Sequence, residues 1–247
     1  MNARQNKLLK NIEKKAVRFF WEESFKGKSR GSRHLFRVHE IAMYLREKEG
    51  GDKFVVSAGA WVHDVSLVQG SDHDPVSVAS FTQNFLKRFE GLEIDEIDRI
   101  VECAGGHETG RQGLSLEAKL VHDADVLDKS GMLGVVRHVW KMTNLLENRI
   151  LDKEDDLKKL RGHLKERQAK LFTKTAENLA KDLNRARDLF FKDEKLALST
   201  IAWISEQANR GVISDEIAEI LAEESPHESA RVLRDQLSCN YLRSVTP

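Results

Sequence analysis

The chain is short of proline, short of cysteine and without an excess of either charge. Three prolines and a modest fifteen glycines in 247 residues favour a mostly helical chain. Cys103 and Cys239 are the only cysteines and form no Cys-x-x-Cys pair, which excludes a disulfide framework. No apolar run approaches the roughly 20 residues that a spanning helix requires. Lys plus Arg equals Asp plus Glu at 40 each, so no global field recruits nucleic acid or an anionic membrane. The segment Met1 to Lys15 is basic but has no apolar h-region and does not read as a secretory signal. The expectation is a reduced, cytoplasmic protein with neither nucleic acid nor membrane as partner.

What is present is a pattern of helices. Hydrophobic residues make up 40%, enough for a substantial core, and the length suits one large domain or one with an extension. Leu9, Ile12, Ala16, Phe19 and Phe20 mark one side of a helix over 8–23. Ser32 can cap a second helix over 33–47, on which His34, Val38, Ile41 and Leu45 share a stripe. Residues 54–64 are apolar almost all round, as expected of a helix in the middle of a bundle. Helices over 77–89, 95–103 and 116–127 follow, with polar or glycine-rich loops between them. From Leu145 the chain becomes dense in charge, with apolar residues at helical spacing, and the charged stretch 152–170 reads as a solvated face, a candidate surface for a homodimer. The expected organisation is an all-α helical bundle over 1–148 with a helical extension or subdomain over 149–247.

The residues that carry chemistry lie at helix ends. His63 and Asp64 close the apolar run 54–62 and cannot both enter a dry core without cost. Imidazole nitrogen and carboxylate oxygen together suit one divalent transition metal. His34 lies 29 residues earlier, and Asp123, Asp125 and Asp128 follow about 60 residues later. An ion needs three or more protein ligands, and His34, His63, Asp64 and either Asp123 or Asp125 supply four. Without thiolate, this donor set suits Mn, Fe, Co, Ni or Zn, with Mg also admitted. Three aspartates inside one helix are poor for helix propensity, which points to a use elsewhere. Taken singly, His34 is an ordinary core histidine and the aspartates are caps; their order along the chain makes them candidate ligands.

The motifs His34-Leu-Phe-Arg37-Val38, Trp61-Val62-His63-Asp64 and Asp123-Ala-Asp125-Val-Leu127-Asp128 resemble the HD-domain metal-dependent phosphohydrolase superfamily. The resemblance spans about residues 20–140. It implies an all-helical HD fold, one bound divalent metal ion, and hydrolysis of phosphate esters or anhydrides in a small phosphorylated metabolite or nucleotide. By position it implies His34, His63, Asp64 and Asp125 as ligands. Asp125 is preferred to Asp123 because members with a shorter motif keep the aspartate directly before the x-Leu step. Some members carry a glutamate three residues after the His-Asp pair, or a lysine four after it; here those positions are Leu67 and Val68, so neither specialised assignment carries over. Asp64 or Asp125 is the candidate proton acceptor, and His107 or His73 the candidate donor to the leaving oxygen or binder of a phosphoryl oxygen. Arg37, one turn from His34, is either a phosphate clamp or half of an ordinary salt bridge. The competing readings are a non-catalytic nucleotide- and metal-binding regulatory protein with the same fold, and an oxygenase, which would need a second complete ligand set.

Overall fold

The computed structural model describes residues 1–69, 74–106, 113–168, 170–224 and 228–244. It begins with a cap. The Asn2 side chain accepts a hydrogen bond from the Gln5 amide at 2.9 Å while the Gln5 side chain accepts from the Asn2 amide at 3.2 Å. This reciprocal capping box satisfies two otherwise orphaned donors. Helix α1 therefore runs from Ala3 to Glu23, starting earlier than its apolar stripe suggests. Among the described residues there is no strand, as the proline-poor and periodic sequence requires.

The chain divides into two compact units. The first holds residues 1–125 and 171–176; the second holds 126–170 and 177–247. In the first unit, α2 (His34–Glu49), α3 (Lys53–Val62), α4 (Pro75–Leu86) and α5 (Ile94–Gly106) follow α1, and α6 (Leu116–Asp128) supplies its first ten residues. Helix α3 is the centre: it packs against α1, α2 and α5, and every residue from Phe54 to Val62 is buried. Its N-terminus is set by Asp52, whose carboxylate accepts from the Phe54 and Val55 amides at 2.8 and 3.3 Å. Arg99 of α5 joins Asp52 at 3.2 Å to Glu117 of α6 at 3.1 Å. Gly59 lets α3 approach α5 closely, because a Cβ there would lie 2.6 Å from the Cβ of Cys103. Cys103 is fully buried at this contact.

In the second unit, α7 (Gly131–Lys141) continues through a π turn at Met142–Leu146 and packs against α8 (Glu154–Gln168), α10 (Glu194–Asn209), α11 (Ser214–Glu224) and α12 (Glu228–Leu237). Helix α9 (Lys174–Phe190) lies between α8 and α10 in sequence, and α13 (Tyr241–Ser244) closes the described chain. His138 of α7 and His163 of α8 stack with ring centroids 3.7 Å apart. Burial first, then the neighbouring His163, Arg167 and Lys141, lowers the His138 imidazole from 6.5 to about 3. Cys239 is buried in this unit, and neither cysteine forms a disulfide.

Two differences from the sequence reading have physical causes. The break in composition near residue 148 marks where helices become charged on their outer faces, whereas packing divides the chain at 125/126, since α7 partners the later helices. Helix α3 also ends at Val62, so His63 is its C-cap and Asp64 lies in the turn that leads into the 3-10 helix Val65–Gln69. Similarly, α2 starts at His34 with Arg33 at the cap position and no capping side chain; the Ser32 hydroxyl only meets the His34 amide, at 3.4 Å.

Candidate metal centre

His34 is the first residue of α2, a position that frees its ring from the helix body. His63 and Asp64 sit at and just beyond the end of α3, where the chain turns. Asp125 comes from within α6. These four side chains, drawn from three separate stretches, meet in the first unit. His34 Nε2 lies 3.2 Å from His63 Nε2, 3.2 Å from Asp64 Oδ2 and 3.3 Å from Asp125 Oδ1. His63 Nε2 lies 3.5 Å from Asp64 Oδ1 and 3.6 Å from Asp125 Oδ1. His34, His63 and Asp125 are fully buried, and Asp64 is 3% exposed.

A single contact orients the His63 ring. Nδ1 is 2.8 Å from the Ala60 carbonyl, which can only accept, so Nδ1 carries a hydrogen and Nε2 is the ring nitrogen turned toward the other three groups. Two imidazoles and two carboxylates thus face one another out of bulk water. Two ligand atoms each about 2.1 Å from one ion, at angles of about 100–120°, lie about 3.2–3.6 Å apart. The observed separations fall in that range, so the donor set fits a single divalent cation in both chemistry and spacing. His34, His63 and Asp125 form a candidate site for such an ion.

The two aspartates face different groups: Asp125 meets the imidazoles and Asp123 does not. Asp123 turns to the opposite side of α6, where it accepts from the Phe172 amide at 2.9 Å, the Thr173 amide at 2.8 Å and the Thr173 hydroxyl at 2.7 Å. Burial pushes the Asp123 carboxyl above its ordinary value, and the hydrogen bonds from Thr173 and Phe172 act the other way. Asp128 pairs with Arg137 at 3.4 Å in the second unit. Each aspartate of the motif has its own task, which accounts for three poor helix formers in one helix.

Arg37 is buried on α2 one turn after His34. Leu67 is a buried apolar side chain. His73 and His107 lie outside the described residues. His122 is buried with its ring 4.9 Å from that of Phe172. His39 stacks on Trp61 with centroids 4.5 Å apart and meets the Ser57 hydroxyl at 2.7 Å; burial lowers its imidazole from 6.5 to about 4. Sequence reasoning missed the partnership of Asp123 with Thr173. Its only trace in the sequence is a threonine just before a helix, and Thr173 does accept from the Ala176 amide, at 3.4 Å.

Residues 31–130 match the family model described as "HD domain". That stretch is similar to an HD domain. The chain is 33% identical over 110 residues to YpgQ of Bacillus subtilis (strain 168), an uncharacterised protein; the match covers 42% of this chain and 53% of YpgQ, so the chain spans about half the length of that relative in sequence. Crystal structures of YpgQ share the fold of this chain. The complex of YpgQ with ADP superposes with a TM-score of 0.59 at 24% identity, covering 78% of this chain and 95% of that one. YpgQ in another crystal structure gives 0.58 at 24% identity, covering 78% and 98%.

Proposed function

We propose that this HD-domain protein is a divalent-metal-dependent phosphohydrolase acting on a small phosphorylated metabolite or nucleotide. The observation that carries the reading is the convergence of His34 Nε2, His63 Nε2 and the carboxylates of Asp64 and Asp125 at spacings of 3.2–3.6 Å. A divalent ion held there supplies a lowered pKa for water and polarisation of a phosphoryl oxygen. The chain's own groups supply the rest. Asp64, at the turn after α3, accepts a proton from the attacking water in this reading. Arg37 holds a phosphoryl oxygen pair through its guanidinium fork. His107 donates to the leaving oxygen in this reading. The crystal complex of YpgQ with ADP supports placing nucleotides first among the substrates to be tried.

A second reading, a nucleotide binder without turnover, is favoured by one observation: position 67 holds a buried leucine in place of a carboxylate able to orient water. The two separate cleanly. Elemental analysis of purified protein should find one divalent metal per chain, and a panel of phosphomonoesters, diesters, pyrophosphates and nucleotides should contain a cleaved member. His63→Ala and Asp64→Ala should each drop cleavage to the level of metal-stripped protein. Metal-loaded protein that cleaves nothing in the panel, yet binds a nucleotide in calorimetry, establishes the second reading instead.

A further inference from the structure

The six residues 171–176 belong to the first unit, although the sequence around them belongs to the second. Their contacts explain why. Phe172 and Thr173 donate three hydrogen bonds to Asp123 of α6, at 2.7–2.9 Å. Phe172 also lays its ring against His122. Two residues further on, Thr175 donates from its amide at 3.0 Å and its hydroxyl at 2.5 Å to one oxygen of Glu49, the last residue of α2. The segment is thus a strap fastened at one end to α6 and at the other to the C-terminus of α2.

Asp123 and Asp125 are two positions apart, so they leave α6 turned by about 200° from each other. One faces the strap and the other faces the imidazoles. A helix held on one side by three hydrogen bonds to a carboxylate has little freedom to rotate about its axis. The azimuth of Asp125 is set by the grip on Asp123. Thr173 performs two tasks with one hydroxyl: it donates to Asp123, and its oxygen accepts from the Ala176 amide at the start of α9. Polar partners behind a ligand orient it, and losing them commonly costs about 10–100-fold in metal affinity.

We infer that Asp123 and Thr173 are positioning residues for the metal centre, acting through helix α6 on Asp125, with Glu49 and Thr175 anchoring the strap that carries Thr173. The inference rests on the metal reading of the site given above. The test is titration of the full chain with Mn(II), followed by calorimetry and by the electron paramagnetic resonance of the ion. T173V should weaken Mn(II) binding by about tenfold or more, and D123N should do the same, while T173S, which keeps the hydroxyl, should return close to the parent affinity. T173V also removes the α9 cap, so a variant with a purely structural loss is needed beside it. D193A serves, since Asp193 caps α10 through the Leu196 amide at 2.9 Å; it should lower the melting temperature and leave Mn(II) affinity alone.

The outcomes are distinct. A parent chain that fails to bind Mn(II), Fe(II), Co(II) and Zn(II) overturns the metal reading itself. A parent that binds, with T173V and D123N folded by circular dichroism and unchanged in affinity, overturns the role given to the strap. Should both variants unfold, amide exchange in the parent decides. Coupling is reciprocal, so the Phe172 and Thr173 amides should gain protection when Mn(II) is added, and no gain would refute the assignment.

Discussion

At the scale of single residues, the most consequential fact is that histidines in this chain are placed in unlike surroundings. His34 and His63 face carboxylates, whereas His39 and His138 are held against apolar or cationic neighbours. Burial lowers His39 to about 4 and His138 to about 3, from 6.5. Both rings stay neutral in the folded chain at pH values where the unfolded chain protonates them. Their stabilising contribution is therefore complete above pH 6.5 and is lost as the pH falls from 6.5 toward 4 for His39 and toward 3 for His138. Between pH 6.5 and 5 the loss is at most about 2 kcal/mol for each ring. Urea midpoints measured at pH 7 and pH 5 should show a smaller drop for H39Q/H138Q than for the parent. Equal drops would remove these rings from the account. The candidate cluster was legible at this scale because two motifs and a spacing named His34, His63 and Asp64. Between Asp123 and Asp125 the sequence offered only a preference, since both satisfy the same local pattern; in the structure it is Asp125 that faces the imidazoles. The bond from Asp123 to Thr173 was not legible: the partners are fifty residues apart and no periodicity links them.

Among elements, α3 carries the most weight. It is apolar almost all round because it is enclosed by α1, α2 and α5, and the chain turns directly after it at His63 and Asp64. Two substitutions probe how it is held. Gly59→Ala forces a methyl group into the space of the Cys103 side chain, for which overpacking costs about 1–3 kcal/mol. Asp52→Ala removes the N-cap, at about 1 kcal/mol, and deprives Arg99 of one partner. Both should lower the urea midpoint with little change in slope, and a Gly59→Ala chain as stable as the parent would contradict the close packing of α3 on α5. The helices themselves were readable from their stripes, and the first six fall where periodicity puts them within a few residues. Their ends were less so. The capping box at Asn2 lengthens α1 beyond its apolar face, and α3 stops before the His-Asp pair because the chain must turn there to aim both side chains at one point.

For the whole molecule, the site and the fold are linked by mass action. Ligands that bind only the folded chain stabilise it, by about 2.7 kcal/mol at a hundredfold excess over Kd. Mn(II) or Zn(II) should raise the melting temperature of the parent in a saturable way, a chelator should reverse the rise, and His63→Ala should show neither effect. A rise that persists in His63→Ala would place the ion elsewhere. The division into units was the part least visible in the sequence. Composition reports which faces meet solvent, but it does not report which helix packs on which, so the charged run after 145 suggested a later boundary than the one that packing makes. No helix among the described residues is long and apolar enough to cross a membrane.

The two thiols have a practical consequence. Cys103 lies sealed in the first unit and Cys239 in the second, so an alkylating reagent can reach each sulfur only when its own surroundings part. Pulse labelling followed by peptide mass spectrometry would time the two openings separately in one unmodified sample, telling whether the halves breathe together or apart.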